Sequence, residues 1–308
     1  MVKNKLKTHI INYKQVFNDV KITANDAHIS EYLNGGRQDI LDNFDIFCEN
    51  VRSNDTENKN FDLFDIVDDI DSDTIVVVGF YLELLEFWGQ RENIKMVCDY
   101  YCKKYINNKV IVTWNHDTNA SNVFNFIDEY ENLYVLNFNT DKKHDRYILL
   151  PFWTIDDRPL NENKKYLANL VCAFNNNIRR NLKTSLGDNS NILISEKIEF
   201  SEYRKTLSSS LFTLCPKGLG LSSYRFFEAF HLNTIPVLFA DNVILPYEND
   251  IDYSKIIIRI PEDKASDGEF IITLLNSVNQ EEMLTNIRNA RLMFTLKGVQ
   301  EKIYKTLI

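Results

Sequence analysis

The stretch that most constrains how this chain can fold is residues 214–247, which read LCPKGLGLSSYRFFEAFHLNTIPVLFADNVILPY. The apolar run Leu211–Cys215, which leads into it, has the length and composition of a buried strand. A turn is predicted over Pro216–Gly220, where a proline and two glycines interrupt the apolar pattern. A second apolar strand is predicted over Ile235–Phe239. The stretch therefore predicts a strand, a glycine-containing loop, a helix and a second strand.

The segment between the two strands has the pattern of a helix. Its apolar side consists of Phe226, Phe227 and Phe230. Ser222 or Ser223 can cap the first turn, and Asn233 marks the end of the helix. The helix therefore begins at the carboxyl end of the first strand, where backbone N–H groups are free and the helix dipole is positive.

Charged residues around the loop predict an anion site, most simply for a phosphate. Gly218 lets a ligand approach the backbone, and Lys217 and Arg225 add positive charge. Glu228 shares a helix face with Arg225, and a carboxylate beside a phosphate is costly unless it has another task. Accepting hydrogen bonds from the vicinal hydroxyls of a ribose is such a task. The alternative is an ordinary loop followed by an Arg225–Glu228 surface pair.

The same stretch resembles the signature of the exostosin family of glycosyltransferases in order and spacing. The residues that carry the resemblance are Pro216-Lys217-Gly218, Ser222 or Ser223, Arg225, Glu228-Ala229, Ile235-Pro236-Val237, Leu245-Pro246 and Asp252-Tyr253-Ser254-Lys255. Two departures are visible. Lys217 stands where the family usually has arginine, and Asn233-Thr234 replaces the usual Gly-Cys. Neither removes the phosphate or ribose chemistry, although both are positions that can tune donor choice.

The resemblance implies an α/β chain of the GT-B class, with two Rossmann-like lobes and the active site in the cleft between them. It implies an inverting glycosyltransferase that moves a sugar from a UDP-sugar donor to a glycan acceptor without a metal. We predict an acceptor-side lobe over 1–160 and a nucleotide-sugar lobe over 161–308, with a hinge near the polar segment Asp156–Lys165. In proteins of this class the terminal helix commonly crosses back to the first lobe, and residues 299–308 are placed to do so.

A second candidate phosphate ligand follows the predicted strand Leu167–Phe174. Arg179 and Arg180 stand in the loop-to-helix segment there, so either one can be placed as Arg225 is. The alternative is a solvated arginine pair on a helix surface. From the residues alone the donor set is Lys217, Gly218, Ser222, Ser223, Arg225 and Glu228, with Arg179 preferred as the further cation.

The base that activates the acceptor hydroxyl is predicted in the first lobe. Asp117 follows the apolar strand Lys109–Trp114 directly, where α/β sheets place ligand groups, and it resembles the family's His-Asp element. His116 is a chemically suitable base as well, and Glu83 is the third choice. The alternative is that Asp117 only caps the next helix.

Composition limits the partners and cofactors of the chain. A net charge of −9 over 308 residues argues against a nucleic-acid binder, which needs a basic face. Five cysteines without a C-x-x-C pair predict buried, reduced thiols, and the D-x-D spacings within Asp65–Asp73 predict an acidic loop. We therefore expect no metal and no cofactor.

Hydropathy gives the expected location. The N-terminal residues lack the apolar region of a signal peptide, and no window of about eighteen apolar residues occurs, so no membrane span is expected. The expectation is a soluble, cytoplasmic protein of microbial or virus-encoded style, in the host cytoplasm if viral. Two rival functions remain. One is a GDP-fucose-type transferase, and the other is a catalytically inactive glycan- or nucleotide-binding protein.

Overall fold

The chain folds into two compact α/β units in a computed structural model. The structure describes residues 5–22, 64–79, 82–114, 119–138, 140–152, 158–218 and 220–308. The first unit comprises Met1–Leu150 together with Leu296–Ile308, and the second comprises Pro151–Thr295. The division after Leu150 lies ten residues before the predicted boundary at 160. The predicted class, an α/β chain with two Rossmann-like lobes, is confirmed.

The first unit contains a six-stranded sheet in which every described strand pair is parallel. Its strands are β1 (Leu6–Asn12), β2 (Phe64–Ile66), β3 (Ile75–Gly79), β4 (Val110–Trp114), β5 (Leu133–Asn137) and β6 (Tyr147–Leu149), in the order β2-β1-β3-β4-β5-β6. All residues of β3 and β4 are buried, as continuous runs of branched apolar residues require in a sheet covered on both faces. The strand predicted over Lys109–Trp114 is therefore confirmed, and β3 lies within the apolar run Thr74–Phe80, whose composition also predicts a strand.

Among the residues described in this part of the chain, the helices are α1 (Tyr13–Val20), α2 (Glu83–Phe87), α3 (Glu92–Lys104) and α4 (Ala120–Val123). The helical spacing of Ile94, Val97, Cys98 and Tyr101 predicts a buried stripe, and helix α3 buries these four residues together with Cys102. The sequence of residues 121–130 predicts a single helix, and that prediction is wrong. The segment divides into α4 and a 3-10 turn, Ile127–Glu129, because Phe124 leaves helical geometry to pack between Trp114 and Phe126.

The second unit contains a five-stranded parallel sheet. Its strands are β7 (Tyr166–Val171), β8 (Ile192–Ser195), β9 (Ser210–Pro216), β10 (Ile235–Phe239) and β11 (Ile258–Arg259), in the order β11-β10-β9-β7-β8. The apolar sequence of Lys255–Ile260 predicts a strand, but the observed strand β11 is shorter. Asp252 accepts a hydrogen bond from the backbone N–H of Ser254 and fixes a 3-10 turn over Tyr253–Lys255, which keeps those residues out of the sheet.

The helices after β7 complete the chain. They are α5 (Asn177–Leu186), α6 (Phe200–Ser208), α7 (Tyr224–His231), α8 (Gly268–Ser277), α9 (Gln280–Ala290) and α10 (Leu296–Leu307). The sequence predicts a helix over 280–296, but the observed helix ends at Ala290 and is followed by a 3-10 turn, Arg291–Phe294, in which Phe294 is buried. Within the described ranges, none of these helices is both long and apolar enough to cross a bilayer.

Both sheets share one topology, and it determines where ligands can bind. Taken in chain order, each sheet begins 2-1-3-4-5, so the direction of winding reverses between β1 and β3 and again between β7 and β9. In open parallel sheets the loops at such a reversal point lead away to opposite sides, which leaves a crevice at the carboxyl ends of the two strands. In the second unit that crevice lies beside the loops that follow β7 and β9.

The core on α7 is aromatic, as its sequence predicted. Phe226, Phe227 and Phe230 are all buried, and the ring of Phe230 stacks on Phe294 with centroids 4.2 Å apart and planes 4° from parallel. Phe294 also contacts Phe227 and Tyr247. The apolar face of α7 is thus anchored by one side chain from outside the strand-loop-helix-strand unit.

Replacing Phe294 with alanine should destabilise the second unit by about 3–5 kcal/mol, because it removes a fully buried ring and leaves a cavity. Urea-induced unfolding followed by fluorescence measures this change. Leu292, two residues earlier and 66% exposed, is the matched control, and Leu292→Ala should change stability by less than about 0.5 kcal/mol. Equal losses in the two variants would contradict the anchoring role of Phe294.

Candidate anion-binding site

The loops at the reversal point of the second sheet are tied together by one asparagine. Asn176 caps α5, and its side-chain oxygen accepts a hydrogen bond from the backbone N–H of Arg179 at 3.0 Å. Its amide nitrogen donates to the carbonyls of Lys217 at 3.0 Å and Gly218 at 3.3 Å. The loop after β7 therefore holds the glycine-containing loop after β9 in place. Asn176 was not among the site residues that the sequence predicted, although an asparagine ahead of a helix is a capping signal.

Arg179 is buried against the same loop. Its Nε donates to the carbonyl of Lys217 at 3.2 Å, and its Nη1 donates to the carbonyl of Ala173 and the side chain of Asn175 at 3.1 and 3.2 Å. Arg180 is exposed and bonds only within its own segment, to the carbonyl of Phe174 and the side chain of Asn177. Of the two arginines that the sequence offered, Arg179 is thus the one at the loop.

Gly218 is required by a close approach. A Cβ on this residue would lie 3.3 Å from Nη2 of Arg179 and 3.7 Å from the carbonyl oxygen of Ser222. Because Arg179 is held by three hydrogen bonds, its guanidinium has little freedom to retreat from an added methyl group. The glycine therefore allows Nη2 of Arg179 to lie directly against the loop that leads into α7.

Arg225, in the first turn of α7, has no charged partner among the residues that the structure describes. Its Nε is buried and makes no hydrogen bond, and within the described residues its guanidinium forms no ion pair. Burial raises the pKa of the Cys215 thiol to about 12, and the nearby Arg225 charge opposes that rise. Burial also lowers the pKa of Arg179, and the Arg225 charge adds to this lowering. Two arginine charges thus lie close enough to repel at the ends of β7 and β9.

Glu228 pairs with a tyrosine and not with Arg225. The phenol of Tyr203, on α6, donates a hydrogen bond to Oε2 of Glu228 at 2.7 Å. Burial raises the pKa of Tyr203, and the negative charge of Glu228 raises it further, so the phenol remains a donor at neutral pH. The alternative prediction of an Arg225–Glu228 surface pair is therefore wrong. No sequence pattern could have identified Tyr203, because its contact depends on how α6 packs beside α7.

Lys217 lies at the loop but already has a partner. Its ammonium lies 2.7 Å from Oε2 of Glu262, and its backbone N–H donates to the carbonyl of Phe239. Ser223 is the N-cap of α7 with extended backbone, although its side chain makes no capping bond, and Ser222 is buried. The donor roles predicted for Lys217, Ser222 and Ser223 stay predictions.

The predicted catalytic residues of the first unit are only partly within the described residues. His116 and Asp117 lie outside them. Glu83 begins α2, close to the reversal point of the first sheet, and is buried. Trp114, at the end of β4, has no exposed surface and belongs to the core.

The described residues offer neither a metal-binding cluster nor a reactive thiol. Among the residues that the structure describes, no cluster of three or more histidine, cysteine, aspartate or glutamate side chains could hold a metal ion. In the acidic loop, Asp71 bonds to Lys7 and to Thr74. The four cysteines that the structure describes are free and buried, namely Cys98, Cys102, Cys172 and Cys215. Burial raises the pKa of each of these thiols, which makes them poor nucleophiles.

The fold and the site together define an α/β protein that presents arginines and a helix N-terminus at the carboxyl ends of parallel strands. The chain belongs to the exostosin family, because the Exostosin GT47 domain matches residues 114–278, which is more than half of the chain. The predicted family is confirmed, and the match covers every residue of the site described above.

Individual relatives match over shorter stretches. A probable glucuronosyltransferase of Oryza sativa subsp. japonica is 26% identical over 114 residues, which cover 37% of this chain and 26% of that protein. The exostosin-1 homolog of Caenorhabditis elegans is 31% identical over 88 residues, which cover 29% of this chain and 23% of that protein. The matches thus span about a quarter of the length of these curated relatives.

Among solved structures, a complex of S. aureus TarM with fondaparinux, α-GlcNAc-glycerol and UDP is similar to this chain with a TM-score of 0.45. The sequence identity is 10%, and the similarity covers 77% of this chain and 56% of that one. A similarity this low does not indicate a shared ligand.

Proposed function

We propose that this chain is a glycosyltransferase that takes a sugar from a UDP-sugar and transfers it, with inversion and without a metal, to a glycan acceptor. The observation that carries this proposal is the Arg225 guanidinium, which is partly buried, lies near Arg179 and has no ion-pair partner in the part of the chain that the structure describes. Membership of the exostosin family, whose matched relatives include a probable glucuronosyltransferase, supports the reaction class.

The electrostatics of the site favour a diphosphate. A buried charge without a partner is unfavourable, and a second positive charge nearby makes it more so. An anion that accepts hydrogen bonds from both arginines removes both penalties, and guanidinium groups bind phosphate oxygens in a bidentate manner. The first turn of α7 adds free backbone N–H groups and a positive dipole end. The leaving diphosphate of a nucleotide-sugar has the charge that this arrangement requires.

Glu228 supplies the ribose contact in this proposal. It lies one turn into α7 from Arg225, on the same side of the helix. Because Tyr203 occupies Oε2, the other carboxylate oxygen is left for the vicinal hydroxyls of a ribose. A nucleotide bound with its diphosphate at the arginines would thus meet a hydrogen-bond acceptor one helical turn farther along.

The chemistry requires one proton transfer and one displacement. Asp117 takes the proton of the acceptor hydroxyl, with His116 as its neighbour and Glu83 as the next candidate. The hydroxyl oxygen then forms a bond to the anomeric carbon as the bond from that carbon to the diphosphate oxygen breaks. Arg225 and Arg179 stabilise the charge that develops on the departing diphosphate, which is the contribution that fixed cations make to such steps.

Turnover should survive chelation, since cations on the protein supply the charge that a metal would otherwise provide. The measurement is release of UDP from a panel of UDP-sugars, with GDP-fucose included, in the presence and absence of EDTA. Loss of turnover in EDTA that manganese restores would contradict metal independence and direct attention to Asp69–Asp73. Turnover with GDP-fucose alone would favour the GDP-fucose-type alternative.

The inactive alternative is tested with the same protein. A glycan- or nucleotide-binding protein without a working base would bind UDP, yet would release none from any donor. The stereochemical outcome is read by NMR of the anomeric proton in the first product formed. Retention of configuration would contradict the proposed single displacement.

A further inference from the structure

We infer that Tyr203 is a positioning residue that orients the Glu228 carboxylate for the ribose of the donor. This inference rests on the proposed function and extends it to a residue that contacts no substrate itself. The geometry that carries it is the 2.7 Å hydrogen bond from the Tyr203 phenol to Oε2 of Glu228.

The Tyr203 ring is held independently of that hydrogen bond. It packs against a buried apolar cluster formed by Val171, Leu207 and Leu232, which belong to β7, α6 and the end of α7. A phenol fixed in this way directs its O–H along one line and lets the carboxylate adopt few rotamers. Long acidic side chains otherwise lose conformational entropy when a ligand immobilises them, which weakens binding.

The two oxygens of Glu228 are thereby made unequal. Oε2 accepts from Tyr203, while Oε1 has no hydrogen-bond partner among the described residues. Arg225 does not compete for either oxygen of Glu228, since the described contacts include no ion pair between the Arg225 and Glu228 side chains. The carboxylate is consequently oriented before any ligand binds, and one acceptor oxygen remains for ribose hydroxyls.

A merely structural tyrosine predicts a different result from a positioning one. If Tyr203 only stabilises the fold, removing its hydroxyl affects all ligands of the site equally. If it orients Glu228 toward ribose, the loss appears only when the ligand carries ribose hydroxyls. The comparison of UDP with 2′,3′-dideoxy-UDP separates these cases, as a double-mutant cycle does with one mutation placed on the ligand.

The experiment measures dissociation constants of both nucleotides by calorimetry for wild type, Tyr203→Phe, Glu228→Ala and the double variant. Tyr203→Phe should weaken the binding of UDP about 3- to 10-fold, which corresponds to the net contribution of one typical hydrogen bond. The same variant should change the affinity for dideoxy-UDP less than about twofold. In the Glu228→Ala background it should have no further effect on the affinity for UDP.

The matched control is Tyr130→Phe, which removes a phenol that donates to the Asp99 carboxylate at 3.0 Å in the first unit. It should leave both nucleotide affinities unchanged. If Tyr203→Phe does not fold, as judged by thermal unfolding, Tyr203→Met fills the same cluster without a donor and gives the same comparison. Tyr203→Phe and Tyr203→Met should each also raise the KM for the donor more than they lower kcat.

The possible failures are distinguishable. Equal weakening of UDP and dideoxy-UDP, or no weakening of UDP, would overturn the role of Tyr203 while leaving the proposed function intact. Wild-type protein that binds no UDP would overturn the proposed function, and this inference would fall with it. A wild-type protein that binds both nucleotides equally would show that Glu228 makes no ribose contact and would overturn the inference as well.

Discussion

Replacing Arg225 with methionine is expected to weaken UDP binding strongly. The stability of the ligand-free protein against unfolding should not decrease. Removing one partner of a closely paired charge costs about 2–5 kcal/mol, which corresponds to roughly thirtyfold to several thousandfold in affinity. Methionine keeps an unbranched apolar side chain at this position and removes the guanidinium.

The stability part of this result follows from the unpaired charge. In the free protein the Arg225 guanidinium has no described partner and lies close to Arg179, so it is unfavourable. Replacing an uncompensated charge with an apolar side chain is often neutral or stabilising. A gain in stability together with a loss of binding is the pattern of a residue retained for function.

The measurements are calorimetric titration with UDP and thermal unfolding without ligand. Arg180→Met is the matched control, because Arg180 is the exposed arginine whose hydrogen bonds stay within its own segment. That variant should keep UDP affinity within about twofold. Strong destabilisation by Arg225→Met with unchanged UDP affinity would show that Arg225 is structural and would remove the main support for the proposed function.

Replacing Asp117 with asparagine is expected to lower kcat by roughly 10²- to 10⁴-fold, the contribution of a general base, with UDP affinity nearly intact. The base acts on the acceptor hydroxyl in the transition state and adds little to holding the donor. The prediction rests on the place of Asp117 in the sequence, directly after the segment that includes β4.

Two further variants test the assignment of the base. His116→Ala should reduce kcat less than Asp117→Asn if the histidine only orients its neighbour. Abolished turnover in His116→Ala with near-normal turnover in Asp117→Asn would exchange the two roles. Near-normal rates in both would eliminate this pair and make Glu83→Gln the next variant to measure. UDP titration of each variant confirms that the donor site remains intact.

Local sequence patterns were sufficient for the elements that form the site. The strand, loop, helix and strand of residues 214–247 follow from apolar periodicity, a glycine-containing turn and a serine at the start of the helix, and all are signals read from near neighbours. The spacing of Arg225 and Glu228 on one side of α7 follows from helical geometry alone. The family resemblance rested on these same residues, and the domain match confirms it.

Only the tertiary structure decided which side chains meet across elements. It selected Arg179 over Arg180, paired Lys217 with Glu262, and placed the Tyr203 phenol on Glu228. It also left Arg225 with a buried Nε and no described partner. These contacts are made between residues that are far apart in the chain. They depend on the order of the strands in the sheet and on how the surrounding helices and loops pack against it. Sequence periodicity reports which face of an element is buried, but the partner on the other side is set by the fold.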